Sequence, residues 1–160
     1  MRMGSLGDPQ DRYLGLIDAA AIQLTELLED LSLIARIEGG RWEPLEQDAD
    51  TLELARTAVE TLGDTASVTG TGAPVQIDPA AASRAIFGLA NAARRHGGLE
   101  VVEIEVDGTE LRIGPLTTAA PIVLAEDLRD LGAALGRMVI EALGGSVELA
   151  GERLVVRLRG

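Results

Sequence analysis

The chain carries few residue types that do chemistry. His96 and Asn91 are the only histidine and the only asparagine, and they fall in the run Asn-Ala-Ala-Arg-Arg-His-Gly-Gly. An imidazole at position 96 could accept a phosphoryl group. A histidine just before Gly97-Gly98 is equally what the end of a helix attracts through its dipole. Arg94 and Arg95 divide the same way, between facing a phosphate and serving the helix end. Asp127 and Asp130 could ligate a metal, but acids at the start of a helix are favoured without one. One histidine cannot build a multi-histidine metal centre, and no Ser-His-Asp arrangement assembles around it. With no Cys in the chain, disulfides, thiolate nucleophiles and Cys-zinc sites are excluded. All 14 basic residues are Arg. Without Lys there is no Schiff-base chemistry and no Walker-type lysine. No carboxylate pair stands out for acid–base work.

The elements that would position these residues are built from aliphatic side chains. Across 160 residues, 46% are apolar, 25% are charged and only 2% are aromatic. That composition suits one compact domain, or a domain with a helical arm, and rules out disorder throughout. The formal net charge of -12 has the wrong sign for nucleic acid or for anionic lipid. No apolar run reaches the roughly 18 residues of a membrane span, and the first ten residues lack a signal-peptide core. The expected location is the cytoplasm, with neither nucleic acid nor membrane as a partner.

Asp8-Pro9 reads as a helix start, and Gly39-Gly40 as its stop. Between them Leu14, Ala21, Leu28 and Ala35 form one row, Ile17, Leu24 and Leu31 a second, and Tyr13, Ala20, Leu27 and Ile34 a third. Three apolar rows are too wide for a lone surface helix. A homodimer is therefore expected, with Leu14, Ile17, Ala21, Leu24, Leu28 and Leu31 at its interface. The alternative is that the helix lies along its own domain. Glu29, Asp30 and Glu38 read as a solvated face, or as a dock for a basic partner surface.

After Pro44 the pattern predicts a short strand at Leu45–Gln47 and a helix over Asp50–Leu62 that buries Leu52, Ala55, Val59 and Leu62. Thr65–Asp78 is β-rich. A helix over Pro79–His96 follows, with Ala82, Ile86, Leu89, Ala90 and Ala93 inward. Leu99–Val106 and Glu110–Ile113 form a hairpin about Asp107-Gly108. A loop over Gly114–Ala125 leads to a helix over Glu126–Leu143, with Leu128, Leu131, Leu135, Met138, Val139 and Ala142 inward and Gly144-Gly145 as its stop. Val147–Leu149 and Leu154–Leu158 close a second hairpin about Gly151. Alternating strands imply one mixed sheet with helices on one face. The fold class is α+β, a long helix followed by a two-layer α/β sandwich. The division is a dimerisation helix over 8–40 and a body over 44–160.

Three stretches resemble the histidine kinases of two-component systems. DRYLGLIDAAAIQLTELLEDLSLIARIEGGRWEP resembles the second helix of the dimerisation hairpin and its exit into the ATPase domain. VQIDPAAASRAIFGLANAARRHGG resembles the helix of the asparagine box. DLGAALGRMVIEALGGSVEL resembles the second glycine box with its helix and hairpin. The resemblance implies an ATPase-type sandwich whose nucleotide would meet Asn91, Arg94 and Gly132. It also implies a phosphoaccepting histidine on a helix before Asp11, where ten residues stand; His96 lies in another element.

The departures from that pattern matter as much. The box's first Asn is Phe87. The first glycine box, Asp-x-Gly-x-Gly, is replaced by Gly114-Pro115-Leu116-Thr117-Thr118, with no carboxylate to read adenine. Asp130 replaces the glycine partner of Gly132 and would repel phosphate. The loop between the boxes is short for an ATP lid. Each lost contact costs about 1–3 kcal/mol, so several span decades of affinity. The expectation is a degenerate kinase-like signalling protein, with no catalytic residue, no metal and no cofactor. It would dimerise and bind a response-regulator receiver domain or a histidine kinase. The alternatives are an active module that takes ATP and Mg²⁺ in an unusual pocket, or a phosphotransferase using His96.

Overall fold

The computed structural model describes residues 4–116 and 130–160. Helix α1 runs Gly4–Glu38 and ends where Gly40 takes φ 67° and the Arg41 N–H reaches back to the Arg36 carbonyl at 2.9 Å. A left-handed glycine just past the last turn is a common helix stop. The start differs from the sequence reading. Asp8 is not the cap, because the helix extends back to Gly4 and carries Pro9 within it. Pro9 stands in the second turn, where it forgoes one backbone hydrogen bond without ending the helix.

The body follows as β1 (Gln47–Asp50), α2 (Thr51–Val59), a 3-10 segment (Glu60–Thr65), β2 (Ala66–Gly72), β3 (Pro74–Ile77), α3 (Pro79–Gly97), β4 (Val102–Gly108), β5 (Glu110–Gly114), α4 (Leu131–Ala142), β6 (Ser146–Ala150) and β7 (Arg153–Arg157). Strands β2, β4, β5, β7 and β6 form the main sheet in that order. The β2–β4 pair is parallel and the others are antiparallel. The sheet is therefore mixed, as the alternation implied.

One face of the sheet is aliphatic. Val102, Ile104, Val106, Leu111, Ile113, Leu154 and Val156 are buried beneath the helices, together with Ala82, Ile86, Leu89, Ala90 and Ala93 of α3. The other face is a ladder of opposite charges. Arg153 bonds Glu103, and Arg157 bonds both Glu110 and Glu148. The Arg157 guanidinium is held above its ordinary pKa first by the hydrogen bond to Glu148 and then by its charge. Such a face is solvated and needs no second layer.

Several boundaries move for identifiable reasons. The strand expected at Leu45–Gln47 lies at Gln47–Asp50, because the Leu45 N–H is taken by the Asp78 carboxylate at 2.9 Å instead of by a ladder. The helix expected to reach Leu62 is α-helical only to Val59 and tightens into the 3-10 segment, where Gly63 turns left-handed. The stretch Thr65–Asp78 divides at Ala73, and β3 leaves the main sheet to pair with β1, so there are two sheets where one was expected. The fully buried Thr51 holds that division. Its Oγ accepts the Ala73 N–H at 2.9 Å and donates to the Gly108 carbonyl at 2.5 Å. Thr51→Val keeps the volume but orphans both backbone groups, so chemical denaturation should show a loss of about 2 kcal/mol. An unchanged midpoint would show that the two hydrogen bonds contribute nothing.

Among the described residues, α4 begins at Leu131, with Asp130 as its cap; positions 126–129, including Asp127 and Leu128, lie outside them, as do Thr117, Thr118 and the loop to Ala125. Leu135 and Val139 are buried, Leu131 and Met138 half-buried, and Ala142 is exposed rather than inward. It stands on the last turn of α4, beyond the cover of α3.

Candidate functional site

Helix α3 opens at Asp78, whose side chain accepts the Ala81 N–H, with Pro79 in the first turn; it closes at Gly98 with φ 64°. Between these stops it presents Phe87, Gly88 and Asn91 along one wall of a cleft of about 700 Å³. Gly132, Leu135, Gly136 and Val139 of α4 form the adjoining wall. The two helices touch backbone to backbone. A Cβ on Gly88 would fall 2.4 Å from the Gly132 carbonyl oxygen, and one on Gly136 would fall 2.7 Å from the Ala85 carbonyl oxygen.

Asp130 stands at the junction of these walls and is fully engaged. Its Oδ1 accepts the Ala133 N–H at 3.1 Å and caps α4. Its Oδ2 lies 2.9 Å from His96 Nε2, the geometry of an Nε2–H donating to a carboxylate, and 3.3 Å from Arg95 Nη2. The carboxylate therefore ties the start of α4 to the end of α3. Asp130→Ala removes the cap, the ion pair with Arg95 and the hydrogen bond with His96. Thermal unfolding should register a loss of about 1–3 kcal/mol, and an unshifted transition would reduce the clamp to coincidence.

The structure brings together some of the candidates read from the sequence and separates others. Asn91 and Gly132 share the cleft with Phe87 and Asp130. The Asn91 amide has no hydrogen-bond partner among the described residues. Arg94 is not part of the cleft lining; its Nε is buried without a partner among the described residues. His96 lies at the end of α3, half-buried against Asp130. No group of three His, Cys, Asp or Glu side chains among the described residues could hold a metal.

The end of α1 completes the cleft. Leu33 is buried and Ile34 and Ile37 pack against the core, while Asp30 pairs with Arg84 of α3. This places Glu26, Glu29 and Asp30 along the rim. The sequence read Glu29 and Asp30 as a solvated face. Asp30 is instead half-buried in an ion pair, and no local pattern signals a partner 54 positions away.

The expected dimer row remains uncovered. Leu14, Ile17, Leu24, Leu28 and Leu31 are exposed, at 58%, 63%, 56%, 59% and 47%, and Ala21 is exposed with them. At about 100° per residue this row lies roughly 160° round the helix from the face that docks on the body. A second chain can approach it without displacing the first contact. No described helix is long and apolar enough to cross a membrane.

No family model and no curated protein matches the sequence. The fold has solved relatives. The Acinetobacter baumannii histidine kinase AdeS aligns over 92% of this chain and 84% of its own, at TM-score 0.67 and 16% identity. Full-length ShkA, in complex with AMPPNP, aligns over 92% of this chain and 38% of its own, at TM-score 0.64 and 18% identity. The ATP-binding domain of PrrB from Mycobacterium tuberculosis aligns over 72% of this chain and 97% of its own, at TM-score 0.54 and 24% identity. The chain thus has the architecture of a histidine kinase, a long helix leading into the ATPase-type sandwich.

Proposed function

We propose that this histidine-kinase-like fold serves two-component signal transduction in the cytoplasm through protein contact, without binding ATP. One observation carries the reading. The cleft beside Asn91 and Gly132 contains a carboxylate, Asp130, held in place by a helix cap, His96 and Arg95. Asp130 takes the Ala133 N–H at the start of α4 and holds Arg95 and His96, so the donors a triphosphate would need are spent within the protein, and freeing them would break three contacts. Phe87 supplies no donor or acceptor in the same wall. The described residues of the cleft offer a poor fit to Mg-ATP, so no transfer step is assigned to them.

The exposed row of α1 supports homodimerisation, because large adjoining apolar surfaces of this kind mark association sites. A receiver domain or a true histidine kinase is the proposed partner. The test is incubation with labelled Mg-ATP and a separate helical stem that bears a phosphoaccepting histidine. No label should reach the stem or His96. Transfer to either would show an active module and overturn the reading.

A further inference from the structure

We infer that the open edge of the main sheet, strand β2, binds an extended strand of a protein partner that carries arginine or lysine at alternate positions. The inference is independent of nucleotide, because no residue of β2 lines the cleft.

Among the described residues β2 pairs with β4 alone, over all seven of its positions. The N–H and C=O groups that point away from β4 have no hydrogen-bond partner there. Such a row is a template for a further strand, and sheets ordinarily guard it with charge, proline or brevity. The opposite edge is guarded: β6 carries Glu148, which Arg157 holds. Strand β2 reads Ala-Ser-Val-Thr-Gly-Thr-Gly, with no charge and no proline. Gly70 takes φ 109°, yet its pairing with Val106 is kept. Main-chain hydrogen bonds to an added strand supply affinity, and its alternate side chains supply specificity.

The side chains beside the edge name the partner's chemistry. Ser67, Thr69 and Thr71 stand on the outer face, in register with Glu103, Glu105 and Asp107 of β4. Exposed carboxylates by themselves mark nothing. These can be reached from a strand beyond β2, and the sheet shows how. Arg153 of β7 bonds Glu103 of β4 at 3.1 Å although β5 runs between them. It crosses at Gly114, with its Cδ 3.4 Å from where a Cβ would stand. The short side chains of β2 leave the same kind of passage on the other side of β4. Arg112 does not satisfy the row. It closes on Glu110, at 2.7 Å, while Glu105 and Asp107 lie at 3.6 and 3.8 Å. On the inner face Ala66 and Val68 are half-buried against the core, so the partner's intervening residues are apolar. A second copy of this chain is the poorer occupant, since β2 facing its twin brings hydroxyls and no cation.

Fluorescence anisotropy on the full chain tests this with a labelled peptide that alternates arginine and valine over the seven-residue length of β2. Two controls keep its charge: the same residues in clustered order, and the alternating peptide N-methylated at every amide. Saturable binding of the alternating peptide is expected, at least about tenfold tighter than that of either control. Hydrogen exchange should slow within Ala66–Gly72 on binding. Thr69 is exposed, so Thr69→Arg sets a guard charge on the edge and should weaken binding about tenfold or more. Glu105→Gln with Asp107→Asn should weaken it several-fold. Asp11→Asn with Asp18→Asn, exposed on α1, should leave it unchanged. No saturable binding, equal binding of a control, slowed exchange that spares β2, or an equal loss in the α1 variant overturns the proposal. A chain that pairs with its own copy through β2 would lose its dimer in Thr69→Arg, and that result overturns it too.

Discussion

A chain carrying Leu24→Asp and Leu28→Asp is expected to be monomeric at concentrations where the wild-type chain pairs. Both leucines are more than half exposed in the single chain and lie at the centre of the apolar row. Burial against a second helix is worth about 1.5–3 kcal/mol for each. The aspartates forfeit that gain and bring a desolvation cost of their own. A loss of about 4 kcal/mol, within the roughly 3–6 kcal/mol that the two leucines of one chain represent, raises the dissociation constant roughly a thousandfold. The body should be untouched, since Leu33 and Ile37 dock from the other side of α1. Light scattering after gel filtration gives the mass, and circular dichroism confirms that the variant is folded. A variant with the wild-type mass, or a wild-type chain that is monomeric at every accessible concentration, contradicts the dimer.

Gly88→Ala should destabilise the chain by about 2 kcal/mol or more, against the trend for helices. Ala is favoured over Gly inside a helix by about 1 kcal/mol. At position 88 the new Cβ would lie 2.4 Å from the Gly132 carbonyl oxygen and 3.0 Å from its carbon. Neither atom belongs to a side chain that can rotate away, so α3 and α4 must separate, and overpacking of this kind costs about 1–3 kcal/mol or more. In a chain of this length the melting temperature should fall by roughly 4–8 °C. Gly15→Ala is the control of opposite sign. Its Cβ meets nothing within 4 Å, so propensity acts alone and the helix gains up to about 1 kcal/mol. Equal stability of Gly88→Ala and wild type would mean that the helices are less closely seated than their backbones indicate.

What the sequence disclosed was local. Asp78-Pro79 and Gly97-Gly98 bracket α3 almost to the residue, and Gly40, Gly108 and Gly151 mark a helix stop and two hairpins, each with a positive φ. The apolar period placed the buried face of α3 correctly. What it hid depends on contacts between distant residues. The division of β2 from β3 is held by Thr51 acting on Ala73, 22 positions away. The cap of α4 is a carboxylate that also gathers His96, 34 positions away. Read alone, Asp130 was only a charge where a glycine was expected. Its double engagement becomes visible once α3 and α4 lie side by side. The meeting of α1 with the cleft through Asp30 and Arg84 is of the same kind. By contrast, Phe87 and Gly132 were legible as positions of one pocket, because each lies within a recognisable local run.

Calorimetric titration of the folded 160-residue chain with Mg-ATP shows whether the cleft takes nucleotide. No saturable heat is expected at physiological nucleotide concentration, and the same silence from Asn91→Ala, since that amide would have no nucleotide to lose. Saturable, stoichiometric binding with a micromolar dissociation constant, abolished in Asn91→Ala, would contradict it and make the cleft a working nucleotide pocket.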